Sequence, residues 1–218
     1  MVQSWLLAVV IGALQGIFEW LPISSEGNIT VVLTALGQNP TAAVSYALFL
    51  HLGTAVSATV YYREELRSVL ETVSSLELRR PFSSAPIAAF LGVATVASGV
   101  TGLAAYAMLD RLVTAFTGGA FIVIIGLLLV LTGILQRVSP AAALGGKDTP
   151  DLLDALLVGS LQGLAILPGV SRSGVTTSVL LFRSHDGPRS FQLSFLLSIP
   201  AAIGGGLLAA LDTGLTGI

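Results

Sequence analysis

Cysteine is absent from the 218 residues, which excludes disulfides, thiolate metal sites and cysteine nucleophiles and leaves the redox compartment undetermined. Charge is scarce as well. Only 10% of the residues are Asp, Glu, Lys or Arg, against about 25% in a soluble domain. The net charge of −2 carries no basic excess and the chain has no nucleic-acid motif, so the electrostatics needed to grip a phosphate backbone are missing. Nucleic acid is set aside as a partner.

In place of charge the chain has apolar residues, 54% of the total, with a mean hydropathy of +0.89. They gather into stretches near twenty residues long, roughly what a helix needs to cross about 30 Å of hydrocarbon. The first stretch, Ser4 to Leu21, lacks a basic leader region and contains Glu19 followed by Pro22, so it is read as part of the mature protein rather than a signal peptide. Apolar runs and breakers place segments at about 4–21, 24–36, 43–62, 85–108, 117–136, 153–167, 171–183 and 191–211.

The segments 24–36 and 171–183 are too short to span. Each follows a proline-containing break, Leu21-Pro22-Ile23-Ser24-Ser25 and Leu167-Pro168-Gly169-Val170-Ser171. Helix–break–helix hairpins entering and leaving one side of the membrane are expected, since irregular backbone at membrane depth survives only where protein or a wet cavity satisfies it.

The same order of features occurs twice. Leu14-Gln15-Gly16 recurs as Leu161-Gln162-Gly163, Leu21-Pro22 as Leu167-Pro168, Ser25 as Ser171, and Phe49-Leu50 as Phe195-Leu196, at an offset of 146 to 147 residues. An ordered series at one offset indicates internal duplication. If each hairpin returns to its own side, three full spans complete one unit, and an odd number inverts the second copy, so the two hairpins meet near the midplane.

With the loop 63–84 placed in the cytoplasm and the N-terminus outside, Arg63, Arg67, Arg79, Arg80, Arg137, Lys147, Arg183 and Arg189 all lie inside. Arg111 lies outside and Arg172 sits within the second hairpin. That bias supports the inverted arrangement. The fold class is therefore all-α: one polytopic transmembrane domain, 1–218, with an inverted-topology internal repeat and two broken re-entrant hairpins. Repeat one covers about 1–138 and repeat two about 151–218, two spans short of a complete copy. Either the natural protein is asymmetric or a C-terminal portion is missing here.

Two constellations carry chemistry. In Gln15-Gly16-Ile17-Phe18-Glu19-Trp20-Leu21-Pro22-Ile23-Ser24-Ser25-Glu26-Gly27-Asn28, helical spacing sets Gln15 and Glu19 on one face. A carboxylate inside an apolar segment marks a functional site, or else a structural pairing with Arg172. Glu26, near a helix start, is explained equally by capping and by catalysis. In Leu167-Pro168-Gly169-Val170-Ser171-Arg172-Ser173-Gly174-Val175-Thr176-Thr177, hydroxyls and an arginine open a helix whose free N–H groups converge, an anion site in outline. The competing reading is a Ser-capped helix with a snorkelling arginine.

His51, in an apolar run, reads first as a hydrogen-bonded packing residue, though it lies close enough to the first hairpin to reach the site. His185, in a polar loop, reads as solvated. The stretch from Arg63 to Arg80 reads as an amphipathic helix on the cytoplasmic surface, and Gly204-Gly205-Gly206 as close helix packing.

These motifs, in this order, resemble the integral-membrane undecaprenyl-diphosphate phosphatases, the bacitracin-resistance family. The family's first motif has the form E/Q-G-x-T-E-F-L-P-V-S-S-x-G-H and its second P-G-x-S-R-S-G-x-T, and Pro168 to Thr176 match the second completely. The resemblance implies hydrolysis of a polyprenyl diphosphate to the monophosphate carrier lipid in the cell membrane, assisted by a divalent cation, Mg²⁺ or Ca²⁺. It implies that Glu19 and Gln15 bind the metal or position water, and that Ser25 is the nucleophile or a phosphate donor. Arg172, Ser171, Ser173, Gly174 and Thr176, with Ser24 and Gly27, would hold the diphosphate.

Asn28 stands where the family has histidine, and Phe18 where it has threonine. An amide cannot shuttle a proton near neutral pH, so the role passes to Glu19, Glu26 or His51, or hydrolysis is lost and lipid-phosphate binding remains. A lipid-phosphate transporter or flippase is thus the alternative, and a channel or structural membrane protein the third reading. Besides substrate and membrane lipids, a homodimer stays open.

Overall fold

The computed structural model describes residues 2–115, 119–139 and 146–213. Every regular element among them is a helix. α1 (Val2–Phe18) is mostly apolar, with Gln15 in its last turn, and ends at the residue before Glu19. Pro22 cannot donate a ladder hydrogen bond, and Ser24 adopts a left-handed φ of 56°, so the chain turns before α2 (Ser25–Ala35) begins. Ser24 then caps α2, its side chain accepting from the Gly27 N–H at 3.3 Å.

α3 (Pro40–Tyr61) opens on Asn39, whose side chain accepts from the Thr41 N–H, with proline at the first helical position. Next come α4 (Arg63–Val73), the single turn α5 (Pro81–Ser84), α6 (Pro86–Ala115) and α7 (Gly119–Val138). The surface helix expected over 63–80 therefore ends at Val73, and none of its residues is buried. The first two positions of the segment expected at 117–136 lie outside the described residues.

α8 (Leu152–Gly163) starts with a capping box formed by Asp151 and Asp154. It tightens into one 3₁₀ turn (Leu164–Ile166) and breaks at Pro168-Gly169, where Gly169 takes a φ of 101° that only glycine adopts freely. α9 (Arg172–Phe182) is capped by Ser171, which accepts from the Gly174 N–H at 3.2 Å. α10 (Gly187–Thr213) carries Pro200 inside it. The order helix, break, short helix, long helix thus occurs as α1–α2–α3 and again as α8–α9–α10.

Four helices are long and apolar enough to cross a membrane, within α3, α6, α7 and α10, while Trp5–Phe18 and Leu152–Ile166 are shorter apolar helices. Side chains such as Val9, Val56, Val96, Val123 and Leu131 face outward although fully apolar. Surfaces of this kind are stable only against lipid. The protein is a multi-pass membrane protein.

Inside, α3 packs on α10, α6 on α8, α2 on α3 and α9 on α10. One apolar cluster joins Phe90, Val158, Leu180, Leu193 and Leu197 from α6, α8, α9 and α10. A second joins Leu48, Leu109, Phe121 and Ile125, and a third Ile11, Ile29, Leu33 and Ala47. Small residues bring α6 and α8 together: a Cβ on Gly159 would stand 2.7 Å from the Ala94 Cα. Such contact lets packing replace the hydrophobic effect that lipid cannot supply.

Candidate active site

The two breaks meet. A Cβ on Gly27 would lie 2.7 Å from the Gly169 nitrogen and 2.9 Å from its Cα, so only hydrogen at position 27 permits the approach. Ser173 Oγ donates to the Leu21 carbonyl at 3.3 Å across the same seam. From α7, Gln136 Nε2 donates to the Pro22 carbonyl at 2.7 Å, while Thr132 Oγ1 donates to the Gly169 carbonyl at 3.3 Å. Backbone groups exposed by the breaks are thereby satisfied from a neighbouring helix, as low-dielectric surroundings require.

Thr132 and Gln136 escaped the sequence reading. Their signal was available: two polar residues four apart on one face of an otherwise apolar helix.

At the seam sits Glu19, almost fully buried. Its Oε2 accepts from Ser25 Oγ at 2.6 Å and from Gln15 Nε2 at 3.0 Å, and faces His51 Nε2 at 3.3 Å. Its Oε1 is bound by Arg172 Nη2. Both carboxylate oxygens are therefore engaged. The other two guanidinium nitrogens of Arg172, Nε and Nη1, are buried and have no hydrogen-bond partner. Oε1 of Glu26 and Oε1 of Gln15 are likewise buried and unpartnered. Capping of α2 belongs to Ser24, which leaves Glu26 free to face the pocket.

Glu19, Ser24, Ser25, Glu26, His51, Ser171, Arg172 and Ser173 line one small polar pocket. A second cavity of about 320 Å³, mostly apolar and bounded by α3, α6, α8 and α10, shares Glu26, His51 and Arg172 with it. A charged end joined to an apolar chamber is the shape required by an amphipathic ligand with an anionic head.

Other expected site residues lie beside this pocket rather than on its wall. Thr176 Oγ1 donates to the Arg172 carbonyl at 2.9 Å and meets Ser194 Oγ at 2.6 Å, so it serves the α9–α10 contact. Gly174 gives its N–H to Ser171 Oγ and leaves room for Gln136. Asn28 turns back on its own break, its Nδ2 donating to the Ile23 and Ser24 carbonyls at 2.7 and 2.9 Å. Gln15 stands behind Glu19.

Two readings are corrected. His51 is not simply packed among apolar neighbours, because its ring reaches Glu19. His185 is fully buried, not solvated: its Nε2 lies 3.0 Å from Asp154 Oδ2. Around the buried Asp154 also gather Arg183 Nε at 2.6 Å and Lys147 Nζ at 2.5 Å, a polar cluster at the opposite end of α8 from the break. Adjacent Asp151 is paired with Lys147 and Arg183. Partial burial works against its charge, but the Lys147 ammonium and the Asp154 N–H outweigh it and hold the Asp151 carboxyl below its ordinary value.

The fold and the pocket together define a multi-pass helical membrane protein in which an arginine with two unpartnered guanidinium nitrogens, a carboxylate and a serine bonded to it converge where two helix breaks meet, a set of groups suited to an anion. The chain belongs to the bacitracin resistance protein BacA family, whose profile matches residues 8–217. It is 51% identical over 215 residues, 98% of this chain and 79% of the relative, to an undecaprenyl-diphosphatase of Haloarcula marismortui. Similar proteins of the same name occur in Methanococcoides burtonii, at 39% identity over 97% of this chain and 78% of the relative, and in Methanothrix thermoacetophila, at 41% over 91% and 73%.

Proposed function

We propose that the protein hydrolyses an undecaprenyl-type polyprenyl diphosphate to the lipid monophosphate and inorganic phosphate. The observation that carries this reading is the pair of buried, unpartnered guanidinium nitrogens on Arg172 beside a serine whose hydroxyl already donates to a carboxylate. Buried donors without partners are costly unless a ligand completes them, and guanidinium N–H groups bind phosphate oxygens well.

In the proposed reaction the terminal phosphoryl group is bound by the unpartnered N–H groups of the Arg172 guanidinium. Ser25 Oγ attacks its phosphorus, the Ser25 proton passes to Glu19 Oε2, and the bond to the bridging oxygen breaks, releasing the lipid monophosphate. Water then attacks the phosphoserine, inorganic phosphate leaves, and Glu19 returns the proton to Ser25. Phosphoryl transfer asks mainly for positioning and charge neutralisation, which Arg172 and the N-terminus of α9 provide. Ser24, Ser171 and Ser173 complete the polar wall that faces the diphosphate.

A divalent cation, Mg²⁺ or Ca²⁺, fits this site only in part through its protein groups. Glu19, expected as a ligand, has both oxygens committed, and among the described residues no group of three or more His, Cys, Asp or Glu could hold a metal ion. Glu26 Oε1, buried and unpartnered, is the carboxylate oxygen left for it, with Gln15 Oε1 the other unpartnered oxygen beside Glu19, and Mg²⁺ commonly binds one carboxylate together with substrate phosphates. Held between Glu26 and the diphosphate, the cation would neutralise phosphate charge.

The duplicated helix order and the distribution of arginines support an inverted repeat with two re-entrant hairpins in the cell membrane, N-terminus outside and residues 63–84 in the cytoplasm. The names of the relatives favour hydrolysis over transport. The test is inorganic phosphate release from a polyprenyl diphosphate by the purified chain in detergent, beside Arg172→Ala. Release that vanishes in the variant is expected; no release by the native chain sinks the reading.

A further inference from the structure

We propose that His51 of α3 is the positioning residue that fixes Glu19 for its exchange of a proton with Ser25. The inference rests on the proposed hydrolysis and adds a residue to it.

The ring is held from both ends. His51 Nδ1 lies 2.9 Å from the Ala47 carbonyl, an acceptor only, so Nδ1 carries the hydrogen of that bond. Nε2 faces Glu19 Oε2 at 3.3 Å, on the same oxygen that accepts the Ser25 hydroxyl at 2.6 Å, so the ring donates from both nitrogens and holds Glu19 as an imidazolium. The result is a chain of contacts from Ser25 through Glu19 to His51 to the backbone of α3. A nucleophile, its base and a third group that orients the base are the recurring parts of an activated-nucleophile site.

The other histidine, His185, is committed to Asp154 and takes no part. Asn28 cannot substitute for His51, since its amide is bound to the two carbonyls of its own break. The imidazole of this site is therefore brought in by α3, from outside the first hairpin. This arrangement also explains why His51 lines both the polar pocket and the apolar cavity: it stands at their junction, against Glu19.

The test compares His51→Gln and His51→Leu in the full-length chain, with inorganic phosphate release from a polyprenyl diphosphate measured as kcat and KM. Both replacements keep the bulk of the ring, but only glutamine can donate an N–H to Glu19. His51→Leu is expected to lower kcat about 10- to 100-fold, the worth of one hydrogen bond to a charged group, with KM changed less than about threefold. His51→Gln is expected to recover most of that loss. Equal losses in the two variants, or a change in KM alone, would overturn the assignment, as would full activity in His51→Leu. Failure of the native chain to release phosphate would instead remove the hydrolase reading on which the proposal rests, so the two failures are distinguishable.

Discussion

Glu19, just past the end of α1, and Arg172, in the first turn of α9, are joined through Oε1 and Nη2 although 153 residues separate them in the chain. The pair ties the two helix breaks together and leaves Nε and Nη1 of the guanidinium without a protein partner. Arg172→Lys keeps the charge but loses the planar fork, and is expected to lower kcat/KM by about 10²-fold or more while the protein still folds. Arg172→Ala strands a buried carboxylate and is expected to cost about 3–5 kcal/mol of stability as well. Phosphate release and thermal denaturation in detergent, measured on both variants, separate the two effects.

The seam itself depends on hydrogen at position 27. Gly27→Ala places a methyl group against the Gly169 backbone, where no flexible side chain can yield. Overpacking of this kind costs about 1–3 kcal/mol, and the displaced breaks should take the activity with them. Gly16→Ala, with nothing within 4 Å of the new methyl, is the control and should leave both melting temperature and activity near native.

Asn28 closes the first break through two carbonyls. Asn28→Ala is expected to lose about 1–3 kcal/mol and to loosen the turn that carries Ser24 and Ser25, visible as faster amide exchange at the start of α2. Unchanged exchange there would show that the two bonds do not hold the turn.

Removal of divalent cations by chelation is expected to suppress phosphate release, and Mg²⁺ or Ca²⁺ to restore it. Glu26→Gln should raise the cation concentration needed for half-maximal release by about tenfold, one carboxylate contact being worth roughly 1.4 kcal/mol in that case. An identical cation requirement in native and variant protein would remove Glu26 as the ligand.

The Asp151 carboxyl is held below its ordinary value in the folded protein, so the folded state favours its ionised form. Its contribution to stability is present above the unfolded value of 3.8 and is lost as pH falls through the lower folded one. Thermal stability should therefore be insensitive to this group between about pH 5 and 8 and should fall below about pH 4. Asp151→Asn should flatten part of that acid limb. The group is half exposed and screened by solvent, so the effect is modest.

Much of the fold was legible because bilayer and backbone impose strong local rules. Low charge and long apolar runs select membrane helices, and Pro22 and Pro168 forecast the two breaks from the missing N–H alone. Glu19 and Arg172 stood out because ionisable groups in such runs are rare. His51 was harder, since α3 is apolar on nearly every side and its pattern names no inward face. His185 was misjudged because its sequence neighbours are polar, whereas Asp154, which buries it, lies 31 residues away.

The sequence by itself determined the solvent, the helical class, where the chain must break and which residues carry charge there. These follow from interactions within a turn or two of helix and from the cost of polar groups in hydrocarbon. Only the tertiary structure decided that Glu19 is saturated by Gln15, Ser25, His51 and Arg172, and that Arg172 keeps two nitrogens free. Those outcomes depend on which helices pack side by side, and packing is set by contacts between segments far apart in the chain, such as Gly27 against Gly169, that local pattern does not encode.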